Sequence, residues 1–165
     1  MSLSDRRTIL KAALVLGAAL SLSACGFTPV YGPEGAGLAL RGKVAVQAPD
    51  DATSYALVAR LQRRLGLTQS PDYRLTYTIT TASTSVGVTD EEATTRYQIT
   101  GQARYSLTDL QGSVVRSGTV SNFTAYSAIG SDVALVTARA DANERLMVML
   151  ADQIFTGLLG AVTTQ

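Results

Sequence analysis

The chain has 165 residues with 14 basic and 13 acidic side chains, one cysteine and no histidine. Without histidine, neither a Ser-His-Asp or Cys-His catalytic arrangement nor a histidine zinc site can form. The near-neutral charge gives no basic excess that would attract nucleic acid, and a lone cysteine excludes an internal disulfide. We therefore predict a protein that is not an enzyme, has no catalytic residues and binds neither metal, cofactor nor nucleic acid.

The first 24 residues have the pattern of a cleavable export signal. Arg6, Arg7 and Lys11 give a positive start, and residues 10–22 form an apolar run. That run is too short for a membrane span of about 20 residues and ends in small side chains. The adjacent Arg6 and Arg7 also resemble a twin-arginine signal, so the sequence leaves the general secretion route and the twin-arginine route both open.

The end of this signal resembles the lipobox of bacterial lipoproteins, carried by Leu22, Ser23, Ala24 and Cys25. The resemblance implies cleavage before Cys25, which then carries a diacylglycerol thioether and an N-linked acyl chain such as palmitate. Several acyl chains hold a protein firmly on a membrane. Gly26, in place of an aspartate, favours the outer membrane by its similarity to lipoprotein sorting signals. The alternatives are an ordinary signal with a chance cysteine and a buried core cysteine.

Removal of the signal leaves 141 residues, enough for one domain. The prediction is a signal peptide at 1–24, a lipidated N-terminus and linker at 25–42, and one domain at 43–165. Residues 26–42 contain two prolines and repeated glycines, a composition typical of a linker.

The domain is predicted to begin with a strand and a helix. Residues 43–47 alternate, with Val44 and Val46 on one face, and Pro49 ends the strand. Asp50 or Asp51 begins a helix that Gly66 ends. Its predicted apolar positions are Tyr55, Leu57, Val58, Leu61 and Leu65. Arg60, Arg63 and Arg64 are predicted to form a solvated helix face, with contact to an anionic ligand or partner as the alternative.

Three extended segments follow. Residues 73–80 alternate as a half-buried strand, and the apolar side chains then move to even positions at Ala82, Val86 and Val88, which predicts a bulge. After a loop at 89–92, apolar and polar side chains alternate along residues 96–108 almost without exception. A turn at 109–112 leads to a last strand at 114–124, with Gly118 as a weak or bulged point.

A long helix is predicted from Ser131 and Asp132 to near the chain end, fraying late at Gly157 and Gly160. Its predicted apolar line is Val136, Ala140, Met147, Leu150, Ile154 and Leu158. The elements together predict an α+β fold in β-α-β-β-β-α order. In it, two helices pack on a four-stranded antiparallel or mixed sheet.

The solvent side of the predicted sheet is rich in threonine, serine and glutamine and poor in charge. A strand of about 40 Å is as tall as the apolar band of an outer-membrane barrel, whose interior is polar. The surface therefore suits a barrel lumen, although threonine also favours exposed strands in general.

The lead sequence from Leu22 to Gly32, with its Cys-Gly-Phe-x-Pro-x-Tyr stretch, resembles the start of the LptE family of lipopolysaccharide-assembly lipoproteins. The predicted element order agrees with that family. The resemblance implies a lipid-anchored protein on the periplasmic side of the outer membrane. It also implies a plug, one to one, in the LptD barrel that aids barrel assembly and binds lipopolysaccharide during transport.

Lipid A phosphates favour arginine side chains, whose planar forks match phosphate geometry. The candidates on the predicted sheet are Arg74, Arg96, Arg104 and Arg116, each of which has a plain surface charge as its alternative role. The alternative functions are a periplasm-facing lipoprotein that scaffolds another envelope complex, and a hydrolase, which the missing histidine disfavours.

Overall fold

The computed structural model describes residues 35–88 and 94–162, and it confirms the predicted α+β fold class and the β-α-β-β-β-α order. A short additional helix comes first. The four strands form one sheet in the order β1-β2-β3-β4. The elements are α1 (Ala36–Leu40), β1 (Val44–Val46), α2 (Ala52–Leu65), β2 (Tyr73–Val88), β3 (Thr94–Asp109), β4 (Val114–Ser127) and α3 (Asp132–Val162).

The end of the predicted linker is packed into the domain. Residues 36–40 form α1, and Leu40 is 2% exposed within the hydrophobic core. Gly42, at a φ of 71°, donates its backbone N–H to the Leu65 carbonyl at 2.7 Å. The packed part of the chain therefore begins ahead of Lys43. The glycine-rich composition predicted a linker here, but burial of the Leu40 side chain holds α1 against the domain. Cys25 and the predicted signal lie outside the described residues.

β1 and α2 begin the domain as predicted. β1 pairs in parallel with the start of β2, and α2 forms the crossover between them. A capping box starts α2: the Asp51 side chain accepts from the Ser54 N–H at 2.6 Å, and the Ser54 hydroxyl accepts from the Asp51 N–H at 3.1 Å. Tyr55, one of the predicted apolar positions, is 66% exposed, whereas Leu57, Val58, Leu61 and Leu65 are buried. It is rotated about 100° from Ser54, beyond the edge of the buried stripe.

The three long strands form an antiparallel meander whose register aligns the apolar side chains. Leu75 pairs with Leu107, and Tyr77 pairs with Tyr105, so these four lie on one face and are buried. The bulge predicted in β2 is present as two register shifts against β3, between Ser85 and Gly87 and between Gly87 and Val88. It lies beyond the first phase change, because Ala82 stays in register opposite Thr100 and lies on the exposed face.

Both long helices cover the same face of the sheet. In α3 the predicted Met147, Leu150, Ile154 and Leu158 are buried, but Val136 is 69% exposed and Ala140 is also exposed. α3 has 31 residues and α2 has 14, which correspond to about 46 and 21 Å. α3 is therefore more than twice as long as α2, and the apolar side chains of Val136 and Ala140 near its start stay uncovered.

Two glycines make room for one tyrosine between the sheet and α3. A Cβ on Gly118 would lie 2.8 Å from the Tyr105 hydroxyl, and a Cβ on Gly157 would collide with that same hydroxyl. The Tyr105 ring is thus enclosed by a strand glycine and a helix glycine. Gly157, predicted as a point of fraying, lies in continuous helix and allows close packing.

We expect Gly157→Ala to lower the free energy of unfolding by about 1–3 kcal/mol, since overpacking outweighs the gain in helix propensity. Gly160→Ala is the matched control, because its Cβ would meet only the flexible tip of Arg116, at 3.3 Å. Urea denaturation of both variants measures the difference. Equal stability of Gly157→Ala and the parent chain would contradict this account.

Candidate functional site: the open face of the sheet

The sheet has one face that no described element covers, here called the outer face. In the register its positions alternate with the buried ones, and almost all are hydroxyl, amide or arginine side chains. The residues are Arg74, Thr76, Thr78, Thr80, Ala82 and Thr84 from β2; Arg96, Gln98, Thr100, Gln102, Arg104, Ser106 and Thr108 from β3; and Val114, Ser117, Thr119, Ser121, Phe123, Ala125 and Ser127 from β4.

The charge of the outer face has one sign. Arg74, Arg96 and Arg104 lie on it and are exposed, and none of them forms an ion pair with a described acid. The only acid in the three long strands is Asp109, the last residue of β3, whose register partner Tyr73 belongs to the helix-covered face. The outer face therefore attracts anions without competition from its own carboxylates.

The fourth predicted arginine lies elsewhere. Arg116 pairs with the buried Leu107, so it belongs to the helix-covered side, and its guanidinium approaches Gly160 near the end of α3. A helix C-terminus is a favourable position for a cation. The structure thus brings together three of the predicted arginines and separates the fourth.

The three outer-face arginines do not form one pocket. Arg96 and Arg104 are eight residues apart on β3, about 27 Å along the strand. Arg74 pairs with Thr108, four residues or about 13 Å beyond Arg104. Such spacing suits several anionic groups spread over an extended ligand or wall, and it does not suit one small anion.

Phe123 is the one large aromatic side chain on the outer face among the described residues, and it is 60% exposed. It pairs with Thr100 in the middle of the meander. Strand alternation puts Val120 and Phe123 on opposite faces, but the sequence of β4 alone does not show which of these faces the helices cover. The register with β3 places Phe123 on the open face.

A second exposed apolar surface lies between α2 and the N-terminal half of α3. It is a groove of about 1210 Å³, lined by Tyr55, Ala56 and Leu67 on one side and by Val136 and Ala140 on the other. Tyr55, Val136 and Ala140, the exposed members of the predicted apolar lines of α2 and α3, therefore all line this groove.

The predicted arginine face of α2 is only partly solvated. Arg60 donates from Nε and Nη2 to the two carboxylate oxygens of Asp152 at 2.8 and 2.9 Å, and Arg64 donates to the same carboxylate at 3.0 Å. Arg64 also lies over the Phe155 ring, 5.2 Å from its centroid. The two arginines therefore join α2 to α3, whereas Arg63 remains exposed. Their charge serves the fold and leaves the outer-face arginines as the candidates for anion binding.

Metal and membrane-spanning elements are not found in the part of the chain that the structure describes. Within residues 35–88 and 94–162, no group of three histidine, cysteine, aspartate or glutamate side chains is arranged to hold a metal ion. Over the same ranges, no helix combines the length and hydropathy needed to cross a membrane.

Several solved lipoproteins have a similar fold. A lipoprotein from Caulobacter crescentus is 18% identical with a TM-score of 0.61, over 74% of this chain and 92% of that one. Rare lipoprotein B from Shewanella oneidensis is 9% identical with a TM-score of 0.58, over 73% and 95%. A minor lipoprotein from Acinetobacter baumannii is 16% identical with a TM-score of 0.52, over 72% and 89%. At these identities the likeness establishes the fold alone, that of a class of bacterial lipoproteins.

The particular family follows from the sequence. The LptE family, described as lipopolysaccharide-assembly, matches residues 42–158, and the chain belongs to it. Among curated proteins, no sequence matches this chain. Membership implies a role in lipopolysaccharide assembly, confirms the prediction that the protein is not an enzyme, and is consistent with a place in the cell envelope.

The contact between α2 and α3 gives a pH-dependent prediction. The Arg60 hydrogen bond, with the charges of both arginines, holds the pKa of Asp152 below its usual value of 3.8. We expect Asp152→Asn to lower the free energy of unfolding at pH 6 by about 1–2 kcal/mol, a figure reduced because the three side chains are about one-third exposed.

The pH dependence of this stability difference tests whether the ionised Asp152 carboxylate causes it. A depressed pKa stabilises the fold above the unfolded-state value and loses that effect as pH falls through the folded-state value. The gap between Asp152→Asn and the parent chain should therefore close below about pH 3.8. Asp141→Asn, in an exposed pair with Arg145, is the control with little expected effect. A gap for Asp152→Asn that is independent of pH would contradict the assignment.

Proposed function

We propose that this chain is an outer-membrane lipoprotein that plugs the LptD barrel, assists its assembly and takes part in lipopolysaccharide transport to the cell surface. In this proposal the outer face of the sheet lies against the inner wall of the barrel, in a one-to-one complex. The lipid on Cys25 anchors the chain on the periplasmic side. The observation that carries the proposal is the uncovered, hydroxyl- and amide-bearing outer face in a member of a lipopolysaccharide-assembly family.

The chemistry of the outer face supports enclosure by a polar lumen. Barrel interiors are polar, and neutral hydroxyl and amide groups can form hydrogen bonds with them without burying an unpaired charge. β3 has 16 residues, so it extends about 50 Å and exceeds the apolar band of an outer-membrane barrel, about 25 Å. A sheet of this height can line a lumen through the full thickness of the membrane.

Affinity purification of the lipidated chain from detergent-solubilised outer membrane tests the partner. We expect one large barrel protein to co-purify at one copy per chain. Several small envelope proteins in its place would support the scaffold alternative and contradict the plug. Cys25→Ser is the control for the anchor, and it should abolish incorporation of labelled palmitate and remove the chain from the outer-membrane fraction.

Direct contact with lipopolysaccharide gives a second prediction. Arginine forks on the outer face are suited to lipid A phosphates, because each charge-assisted hydrogen bond is about twice as strong as a neutral one. We expect the double charge reversal Arg96→Glu with Arg104→Glu to weaken binding of purified lipopolysaccharide roughly tenfold or more.

The matched control for that experiment is Arg116→Glu, an exposed arginine on the opposite side of the sheet. It changes charge without altering the outer face, and its binding should equal that of the parent chain. Equal loss from Arg116→Glu and from the double variant would show that net charge matters, and would remove Arg96 and Arg104 as a site.

A further inference from the structure

β2 has an edge that is paired over only a fraction of its length. β1 pairs with Tyr73 to Leu75 and then ends, while β2 continues to Val88. The Tyr73 N–H donates to the Lys43 carbonyl at 3.0 Å, and the Leu75 carbonyl accepts from the Gln47 N–H at 2.9 Å. Odd-numbered residues of β2 therefore direct their backbone groups toward the β1 side.

Beyond β1, the same alternation leaves a row of backbone donors and acceptors along this edge. Tyr77, Ile79, Thr81 and Ser83 direct their N–H and C=O groups to a side on which no described strand lies. Native sheets protect such edges with lysine, proline, bulges or short strands. From Leu75 to Val88 this strand has no charged residue and no proline, and its irregular register lies beyond Ser83.

At the opposite edge of the sheet, which β4 forms, side chains bind some of the outward backbone groups. In β4 the outward Phe123 N–H donates to the Asn122 side-chain oxygen at 2.9 Å. The outward Ala125 carbonyl accepts from Arg145 Nη2 of α3 at 3.4 Å. Side chains of the chain itself thus bind outward backbone groups of β4, whereas within residues 35–88 and 94–162 no such bond is found for the outward groups of residues 77–83 of β2.

We propose that residues 77–83 of β2 receive an extended segment of the barrel protein as an added strand, so that the plug and the barrel share a sheet. This inference rests on the proposed function, and it specifies how the two chains hold together. Backbone hydrogen bonds supply affinity in strand addition, and the side chains beside the edge select the partner.

The chemistry of the edge indicates the kind of segment that fits. The flanking Thr78, Thr80, Ala82 and Thr84 are neutral and exposed on the outer face, and Thr81 and Ser83 are neutral and exposed on the other. A charged strand would lose hydration here without gaining a counterion. The occupant is therefore a neutral segment rich in serine, threonine, asparagine or glutamine. It belongs to the barrel and not to a second copy of this chain, because a plug enclosed by a lumen cannot reach another plug.

Hydrogen–deuterium exchange, resolved to single residues, tests the pairing in the purified complex. Even-numbered amides from Thr76 to Thr84 already bond to β3 and should exchange slowly in both the free chain and the complex. The amides of Tyr77, Ile79, Thr81 and Ser83 should slow at least tenfold only in the complex. Slowing of both sets alike would indicate general burial and overturn the inference, as would no change in the odd-numbered amides.

A variant tests whether the pairing matters for assembly. Thr81→Pro removes one outward N–H and no bond to β3, a substitution that edge strands tolerate. Thr81→Val is the matched control, because it loses the hydroxyl but keeps the N–H. We expect Thr81→Pro to reduce the co-purified barrel at least tenfold, and Thr81→Val to match the parent chain. If Thr81→Pro fails to fold, the exchange pattern of the parent complex decides.

The outcomes separate this inference from the function it rests on. Full recovery of the barrel with folded Thr81→Pro would overturn strand addition and leave the plug proposal standing. No barrel with the parent chain would overturn both. Concentration-dependent protection of the odd-numbered amides in the isolated chain would identify a second copy as the occupant and overturn the assignment to the barrel.

Discussion

The register of the three long strands is the constraint on which this molecule depends. Leu75 opposite Leu107, and Tyr77 opposite Tyr105, place the large apolar side chains on one face. A slip by one residue would move this entire set to the other face, so the register is strongly specified by burial. Both long helices then pack where the apolar surface lies, and the outer face stays open as a direct consequence.

The same constraint separates charge by element. Among the described residues, Asp51 caps α2, Asp152 pairs with arginines between the two long helices, and Asp109 at the end of β3 binds turn amides. Arg74, Arg96 and Arg104 on the outer face form no ion pair with a described carboxylate. The fold therefore presents a tall polar surface with positive charge only, and the edge of β2 adds unpaired backbone groups beside it. Both features are suited to enclosure by another chain.

Alternation along the strands was sufficient to predict the sheet, the element order and the composition of the outer face. The wrong predictions concern residues whose burial, or whose side of the sheet, depends on which other element packs against them. Val136 and Ala140 have helical spacing typical of a core, yet α2 is too short to cover them. Arg116 follows a turn and a register shift next to Thr108, so strand periodicity alone does not show which side it occupies. The length of β1, and hence the open edge of β2, depends on long-range pairing that local sequence does not encode.

The central claim is that the outer face is covered by a barrel in the assembled envelope. The most direct measurement is photocrosslinking in living cells from a benzophenone side chain at Gln102, in the middle of β3 on that face. The account predicts one crosslinked product that contains this chain and a single large outer-membrane barrel. Absence of that product, or crosslinks only to soluble periplasmic proteins, would contradict it.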